Sequence, residues 1–460
     1  MRLILPVLIS LACVLPAAAE VKVPQSQTEI SLSFAPLVKE AAPAVVNIFA
    51  NRVVQQSESP FRGNPMFEDL FRGFGLSQPR VQNSLGSGVI LSEDGIVVSN
   101  YHVVGMATEI RVVLTDRREF EAEILLADQD SDLAILKINA DTPLPHLSFR
   151  DSDDVEVGEL ALAIGNPFGI GQTVTSGIVS GLARSGTATG NARGYYLQTD
   201  AAINPGNSGG ALIDVNGRLI GINTSILTRS GGSNGVGFAI PANLVARYVE
   251  QARAGNDRFT QAWAGIFGQA VDSSLAEGFG LSVPEGVVIS SMHPDSPFAQ
   301  AGLALGDIVL SVDGQPVNSP PEMLFRMSVR PVGDTIIVEY LSGGEIEQAE
   351  VSLIVAPDLP PRDARMVKGG TLAGLGVVNI NPAVQSELKL PTAMSEGVVV
   401  TEVSGPLGRI GLRVGDVLLE INGETINTTA DVEDASDTRG RNWRIDGVRG
   451  GQRFSYRFRI

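Results

Sequence analysis

The stretch Asn204-Pro205-Gly206-Asn207-Ser208-Gly209-Gly210-Ala211-Leu212-Ile213 constrains this chain more than any other. A serine set among glycines after an Asn-Pro turn, and running straight into an apolar strand, requires a tight, exposed bend. Gly206 has access to backbone angles closed to a residue with a Cβ. That lets its N–H converge with the N–H of Ser208 as an oxyanion hole for a tetrahedral intermediate. An ordinary glycine-rich hairpin turn has the same composition, so the reading depends on partners elsewhere.

A serine at its ordinary acidity is a poor nucleophile and needs a base held by a third group. The chain has 3 histidines. His102 ends the apolar run Val97-Val98-Ser99-Asn100-Tyr101-His102, which follows a Glu93-Asp94-Gly95 turn, and is the best-placed base. His146 lies in the proline-interrupted loop Pro143-Leu144-Pro145-His146, and His293 in Met292-His293-Pro294 of a different domain. For the orienting acid, Asp132 stands at the mouth of the strand Leu133-Ala134-Ile135-Leu136-Lys137-Ile138. Asp128 and Asp130 are rivals a few residues earlier, and residue chemistry leaves the three open. The order His, Asp, Ser is one used by serine hydrolases.

Ser99–Val104, Ser131–Ala134 and Gly206–Leu212 resemble the three catalytic signatures of the HtrA (Deg/Do) family of serine endopeptidases. Ser33-Phe34-Ala35-Pro36-Leu37-Val38 and Pro43-Ala44-Val45-Val46-Asn47-Ile48 are similar to that family as well. The resemblance implies Asp132 as the acid. It also implies a mainly β fold, with a chymotrypsin-like double β-barrel over residues 33–254.

Residues 1–19 read as a signal peptide: Arg2, the apolar run Leu3–Leu15, then Ala17-Ala18-Ala19 before Glu20. That apolar run, interrupted by Pro6, is too short to cross a bilayer. The only cysteine, Cys13, falls within it and lacks the aliphatic residue that a lipid-attachment signal needs three positions earlier, where Ser10 stands. Export of a chain without a further cysteine means that no disulfide supports the fold, and a bacterial periplasm fits best. The formal net charge of −17 argues against nucleic acid as a partner.

From Leu85 to Ile240 short apolar runs alternate with turn residues at all-β spacing. Three glycine-rich or small-residue segments face the presumed site: Gly165–Gln172, Arg184–Gly194 and Ser225–Gly235. In the family these correspond to activation and specificity loops. The resemblance also implies that Ile226, Leu227 and Val236 line the pocket for the residue before the cut, favouring small aliphatic side chains; barrel core is the plain alternative. Between Asn51 and Asn83 a long segment carries Met66, Phe67, Leu70, Phe71 and Phe74, and the family uses a loop here to join subunits. Pro241–Ala254 reads as an amphipathic helix closing this domain, with Gly255–Arg258 as a linker.

An internal repeat follows. Glu285-Gly286-Val287-Val288-Ile289 matches Glu396-Gly397-Val398-Val399-Val400, and Ala301–Gly314 matches Ile410–Gly423. Each copy looks like a PDZ domain, over 259–356 and 368–460. PDZ domains add an extended peptide as a strand and capture its terminal carboxylate on backbone N–H groups. The capturing loop falls at Trp263-Ala264-Gly265-Ile266 in the first copy and within Leu372–Gly376 in the second, where two registers are open and Gly374 and Leu375 are the candidate residues. The first flanking helix, Pro321–Ser328, offers Met323, Leu324 and Met327; the second, Thr428–Ser436, is acidic and poor in apolar groups.

These readings converge on an exported, ATP-independent serine endopeptidase for unfolded or damaged envelope proteins. Ser208 is its nucleophile, His102 its base and Asp132 its orienting acid. No cofactor or metal is expected. The expected partners are unfolded proteins and peptides, hydrophobic C-terminal peptides at the first PDZ copy, and other copies of the chain as a homotrimer and higher oligomers. A holdase chaperone with a mostly idle protease site is the alternative.

Overall fold

The computed structural model describes residues 33–54, 80–166, 171–185, 195–204, 206–226, 235–390, 394, 396–404, 407–438 and 440–459. The alternating apolar runs form two closed six-stranded barrels. The first comprises β1 (Val45–Val54), β2 (Arg80–Ile90), β3 (Ile96–Ser99), β4 (Glu109–Val113), β5 (Glu119–Asp128) and β6 (Leu133–Ile138), in the order β1-β2-β3-β6-β5-β4. The second comprises β7 (Leu160–Gly165), β8 (Thr173–Ser185), β9 (Tyr195–Thr199), β10 (Ala211–Ile213), β11 (Leu219–Ile226) and β12 (Gly237–Pro241), in the order β10-β11-β12-β9-β8-β7.

β6 shows why these strands read as continuous apolar runs. Side chains alternate between the two faces of a strand. Ala134, Leu136 and Ile138 fill the first barrel with Val46, Ile48 and Val97. Leu133 and Ile135 face the other way, into a core shared with Leu162, Ile164, Ala211 and Ile213 of the second barrel. Apart from Lys137, which pairs with Asp94, both faces are buried, so no polar alternation is left to read. A helix, α1 (Ala242–Arg253), caps this shared core with Val245, Tyr248 and Ala252. Tyr248 stacks on Phe259 at 3.9 Å between ring centroids, and Arg253 pairs with Asp94 on the β2–β3 turn.

The repeat folds into two similar sheets. The first contains β13 (Ile266–Ala270), β14 (Val287–Met292), β15 (Ile308–Val312), β16 (Gln315–Pro316), β17 (Thr335–Ser342) and β18 (Glu345–Ser352). The second contains β19 (Arg365–Met366), β20 (Leu375–Asn379), β21 (Val398–Val403), β22 (Val417–Ile421), β23 (Glu424–Thr425), β24 (Asn442–Arg449) and β25 (Gln452–Arg459). Equivalent registers recur: Val287 pairs with Val309 in one copy, Val398 with Leu418 in the other. Helices α2 (Pro320–Ser328) and α3 (Thr429–Asp437) stand at corresponding places. Asp431 and Thr428 close a reciprocal capping box on α3, which explains its start despite few apolar residues. The copies differ at one edge. β13 is a terminal strand of its sheet, whereas β20 carries β19 along the matching side, with Arg365 opposite Val377.

Candidate active site

Three loops bring the predicted residues together at the seam between the barrels. His102 sits in the single helical turn Tyr101–Val104 that follows β3. Asp132 lies at the entrance of β6, which pairs with β3 through Ser99 and Ala134. His102 Nδ1 is 2.9 Å from each carboxylate oxygen of Asp132, and the His102 backbone N–H donates to Oδ1 at 3.0 Å. Asp132 adopts a φ of +53°, a left-handed conformation costing a residue with a side chain about 1–3 kcal/mol. Asn100 offsets this by donating from Nδ2 to the Asp132 carbonyl at 2.9 Å.

The rival acids have other partners. Asp128 accepts from the Tyr248 hydroxyl at 2.5 Å and from the N–H of Asp130 and Ser131, tying α1 to the β5–β6 turn. Asp130 pairs with Lys389 from the second repeat unit. His146 Nδ1 lies 3.2 Å from the Leu144 carbonyl, and His293 packs edge-on against Trp263.

Ser208 sits on the bend that leads into β10. Gly206 has φ +99° and Gly209 φ +82°, and a Cβ on Gly209 would lie 2.1 Å from the Ser87 carbonyl oxygen. This explains the need for glycine at a position that rests on the first barrel. Ser208 Oγ donates to the Thr224 carbonyl at 2.9 Å, and among the described residues no hydrogen bond joins it to His102. Thr224 also donates from its own hydroxyl to Asp132 Oδ2 at 2.6 Å. Thr224 was not singled out from the sequence; the polar pair Asn223-Thr224 directly after the apolar run Leu219–Ile222 was its available signal.

Of the predicted pocket residues, Val236 is half-buried and packs against the shared core. Ile226 ends β11, and Leu227 lies outside the described residues. Residues 167–170, 186–194 and 227–234 of the three glycine-rich or small-residue segments, most of the 51–83 segment, and residues 1–19, expected to be a signal peptide, are also outside them. Among the described residues, no group of three or more His, Cys, Asp or Glu side chains is placed to hold a metal ion.

The two presumed carboxylate loops are built differently. In the first, the Ala264 carbonyl accepts from Ser296 Oγ at 2.7 Å and the Gly265 carbonyl from the His293 N–H at 2.8 Å. Among the described residues no hydrogen bond uses the N–H of Ala264 or Gly265, and Ile266 then opens β13. In the second, the N–H of Gly374 donates to Val367 O at 2.8 Å and that of Leu375 to Leu372 O at 3.1 Å. Met323 and Met327 of α2 are core residues, and Leu324 packs partly buried beside them.

Comparison with known proteins agrees with this architecture. A family model described as a trypsin-like peptidase domain matches residues 86–222, and two PDZ-domain models match residues 261–353 and 399–441. A probable periplasmic serine endoprotease, DegP-like, from Halomonas elongata is 39% identical over 421 residues, covering 86% of each chain. The chain belongs to the HtrA (Deg/Do) family of periplasmic serine endopeptidases. The periplasmic pH-dependent serine endoprotease DegQ of Escherichia coli K12 is 36% identical over 412 residues, spanning 87% of this HtrA chain and 85% of DegQ. Among solved structures, the HtrA-type protease AlgW with decapeptide is 38% identical with a TM-score of 0.53, covering 72% of this chain and 100% of AlgW. This HtrA protein is accordingly a serine endopeptidase with a chymotrypsin-like double barrel and two PDZ domains.

Proposed function

We propose that this HtrA protein degrades unfolded or damaged proteins by acyl-enzyme catalysis at Ser208, within a protease unit of residues 33–254. The observation that carries the reading is the Asp132 carboxylate, 2.9 Å from His102 Nδ1 and bonded to Thr224, whose carbonyl holds Ser208. Asp132 fixes the imidazole so that Nε2 faces the serine side. Ser208 Oγ attacks the peptide carbonyl carbon while its proton passes to His102 Nε2. The new C–O bond leaves an oxyanion held by the N–H groups of Gly206 and Ser208. Collapse breaks the C–N bond, and the leaving amine takes the proton from His102. Water then attacks the acyl ester, its proton passes to His102, and Ser208 leaves with that proton. Ile226, Leu227 and Val236 form the pocket before the cut.

The PDZ units, 259–356 and 368–460, have different roles in this reading. The first captures hydrophobic C-terminal peptides at Ala264, Gly265 and Ile266; among the described residues no hydrogen bond uses the N–H of Ala264 or Gly265, and Ile266 opens β13, a terminal strand of its sheet. At Gly374 and Leu375 the N–H groups are already bonded within the chain, so carboxylate capture there requires the loop to open. The first unit also touches the protease. Phe325 of α2 stacks on Tyr195 at 3.9 Å between centroids, and Arg326 pairs with Asp153. Tyr195 follows directly on the Arg184–Gly194 loop, the sensing element in this reading. Export uses residues 1–19, and assembly proceeds through homotrimers to higher oligomers.

The holdase alternative draws on one observation: the Ser208 hydroxyl points to the Thr224 carbonyl instead of His102. Casein turnover by the wild type and by Ser208→Ala tests the reading. Loss of turnover in the variant supports the protease, while unchanged turnover overturns it. An inactive wild type that still suppresses casein aggregation would favour the holdase.

A further inference from the structure

The bend that carries Ser208 belongs to the second barrel, yet one residue of the first barrel holds it at two points. Ser87, fully buried on β2, donates from its hydroxyl to the Gly206 carbonyl at 2.6 Å. Its backbone N–H donates to the Ser208 carbonyl at 2.9 Å. The remaining polar capacity of Ser87 is also engaged. Oγ accepts from the Asn166 N–H at 2.8 Å, and the Ser87 carbonyl accepts from Ser99 Oγ at 2.8 Å. Asn166 follows β7 directly, so the same hydroxyl joins β2, the end of β7 and the nucleophile bend.

This matters because of where the carbonyls lie. Fixing the Gly206 carbonyl fixes the peptide plane after Gly206, and fixing the Ser208 carbonyl fixes the plane after Ser208. Between these two planes lies the one that carries the Ser208 N–H. Gly206, at φ +99° and without a Cβ, has no side chain to limit its own rotation. The Gly206 N–H lies in the plane before the anchored one, so its direction is set relative to the carbonyl that the Ser87 hydroxyl holds at 2.6 Å.

We propose that Ser87 is a positioning residue that holds the oxyanion-binding N–H groups of Gly206 and Ser208 in their working direction. The proposal rests on the assignment of those two groups as the oxyanion hole. Ser87 touches no substrate; it acts through the bend. Pre-aimed donors act chiefly in the transition state. Loss of the Ser87 hydroxyl should therefore lower kcat while KM stays nearly constant.

The test uses the full chain with a short peptide substrate, well below the melting temperature of every variant. Loss of one direct oxyanion donor costs about 100–1,000-fold in kcat, so loss of a positioning bond is expected to cost about 10–100-fold. Ser87→Ala should show that loss with KM within about twofold. It should also bind a peptide boronate, which forms a tetrahedral adduct, more weakly by a similar factor, with unchanged affinity for the cleaved product peptide. Val89→Ala, a core truncation on the same strand, should lower the melting temperature and leave kcat unaltered. Wild-type kcat in Ser87→Ala overturns the proposal, as does an equal loss in product-peptide affinity. If the alanine variant does not fold, Ser87→Cys, which keeps the shape and weakens the donor, is read by the same criteria. Ser208→Ala separates the two levels: if it retains activity, the catalytic assignment itself fails, whereas an inactive Ser208→Ala beside a fully active Ser87→Ala rejects only the role of Ser87.

Discussion

Thr224 links both ends of the site: its hydroxyl donates to Asp132 Oδ2 at 2.6 Å, and its carbonyl accepts from Ser208 Oγ at 2.9 Å. A hydrogen bond to a charged group contributes about 1.5–3 kcal/mol, and each 1.36 kcal/mol in a barrier is tenfold in rate. Thr224→Val removes the hydroxyl and keeps the shape. The expected outcome is a fall in kcat of about tenfold or more, restored by Thr224→Ser. Steady-state kinetics with a chromogenic peptide decide it, and a valine variant with wild-type kcat would remove Asp132 orientation from the role of Thr224.

The histidines separate cleanly. His102→Ala and Ser208→Ala are each expected to lower kcat by several powers of ten, as loss of a triad member does. His146→Ala and His293→Ala should stay within a few-fold, because one sits by the Leu144 carbonyl and the other against Trp263. A loss at either position matching that of His102→Ala would mean that the base is misassigned.

Coupling between the first PDZ unit and the active site is expected to run through the Phe325–Tyr195 stack. A free peptide with a hydrophobic C-terminus should speed cleavage of a small substrate that cannot reach the PDZ groove. Couplings of this type are typically about 5–150-fold. Phe325→Ala should abolish most of that activation while peptide affinity, measured by fluorescence anisotropy, is retained. Full activation in the variant would place the route elsewhere.

Glu322 on α2 gives a pH signature. Burial raises its carboxyl above the ordinary 4.5, although the Asn318 N–H and Arg326 pull in the opposite direction. The folded state therefore holds this proton more tightly than the unfolded chain does. The corresponding stability is fully present below pH 4.5 and is lost as pH rises through the folded value. Glu322→Gln still accepts from Asn318 but does not ionise. Thermal melts should show wild type and variant alike at acid pH, with the wild type falling behind as pH rises toward neutrality. A constant difference across that range would contradict the argument.

Much of this protein was legible in its residues, and the reasons are local. Ser208 stood out because a serine set among glycines ahead of an apolar run requires a tight bend, and because His102 and Asp132 lie in motifs of the same family. The paired PDZ copies stood out because Gly286-Val287-Val288 and Gly397-Val398-Val399 repeat the same strand at the same offset. Helix α1 was written in its apolar spacing, and the structure places it at Ala242–Arg253. Residue chemistry alone left Asp128, Asp130 and Asp132 open; the family resemblance chose Asp132. Only the fold gives each rival its job, because Tyr248 and Lys389 come from elements 120 or more residues away. Thr224 and Ser87 were invisible for the same reason. Their hydroxyls matter through partners on other strands, and a one-dimensional pattern carries no record of which strands a closed barrel makes neighbours. The difference between the PDZ copies is likewise tertiary. It depends on β19 lying along β20, a pairing set by how the chain turns back between Val367 and Gly374 and not by the apolar pattern of either strand.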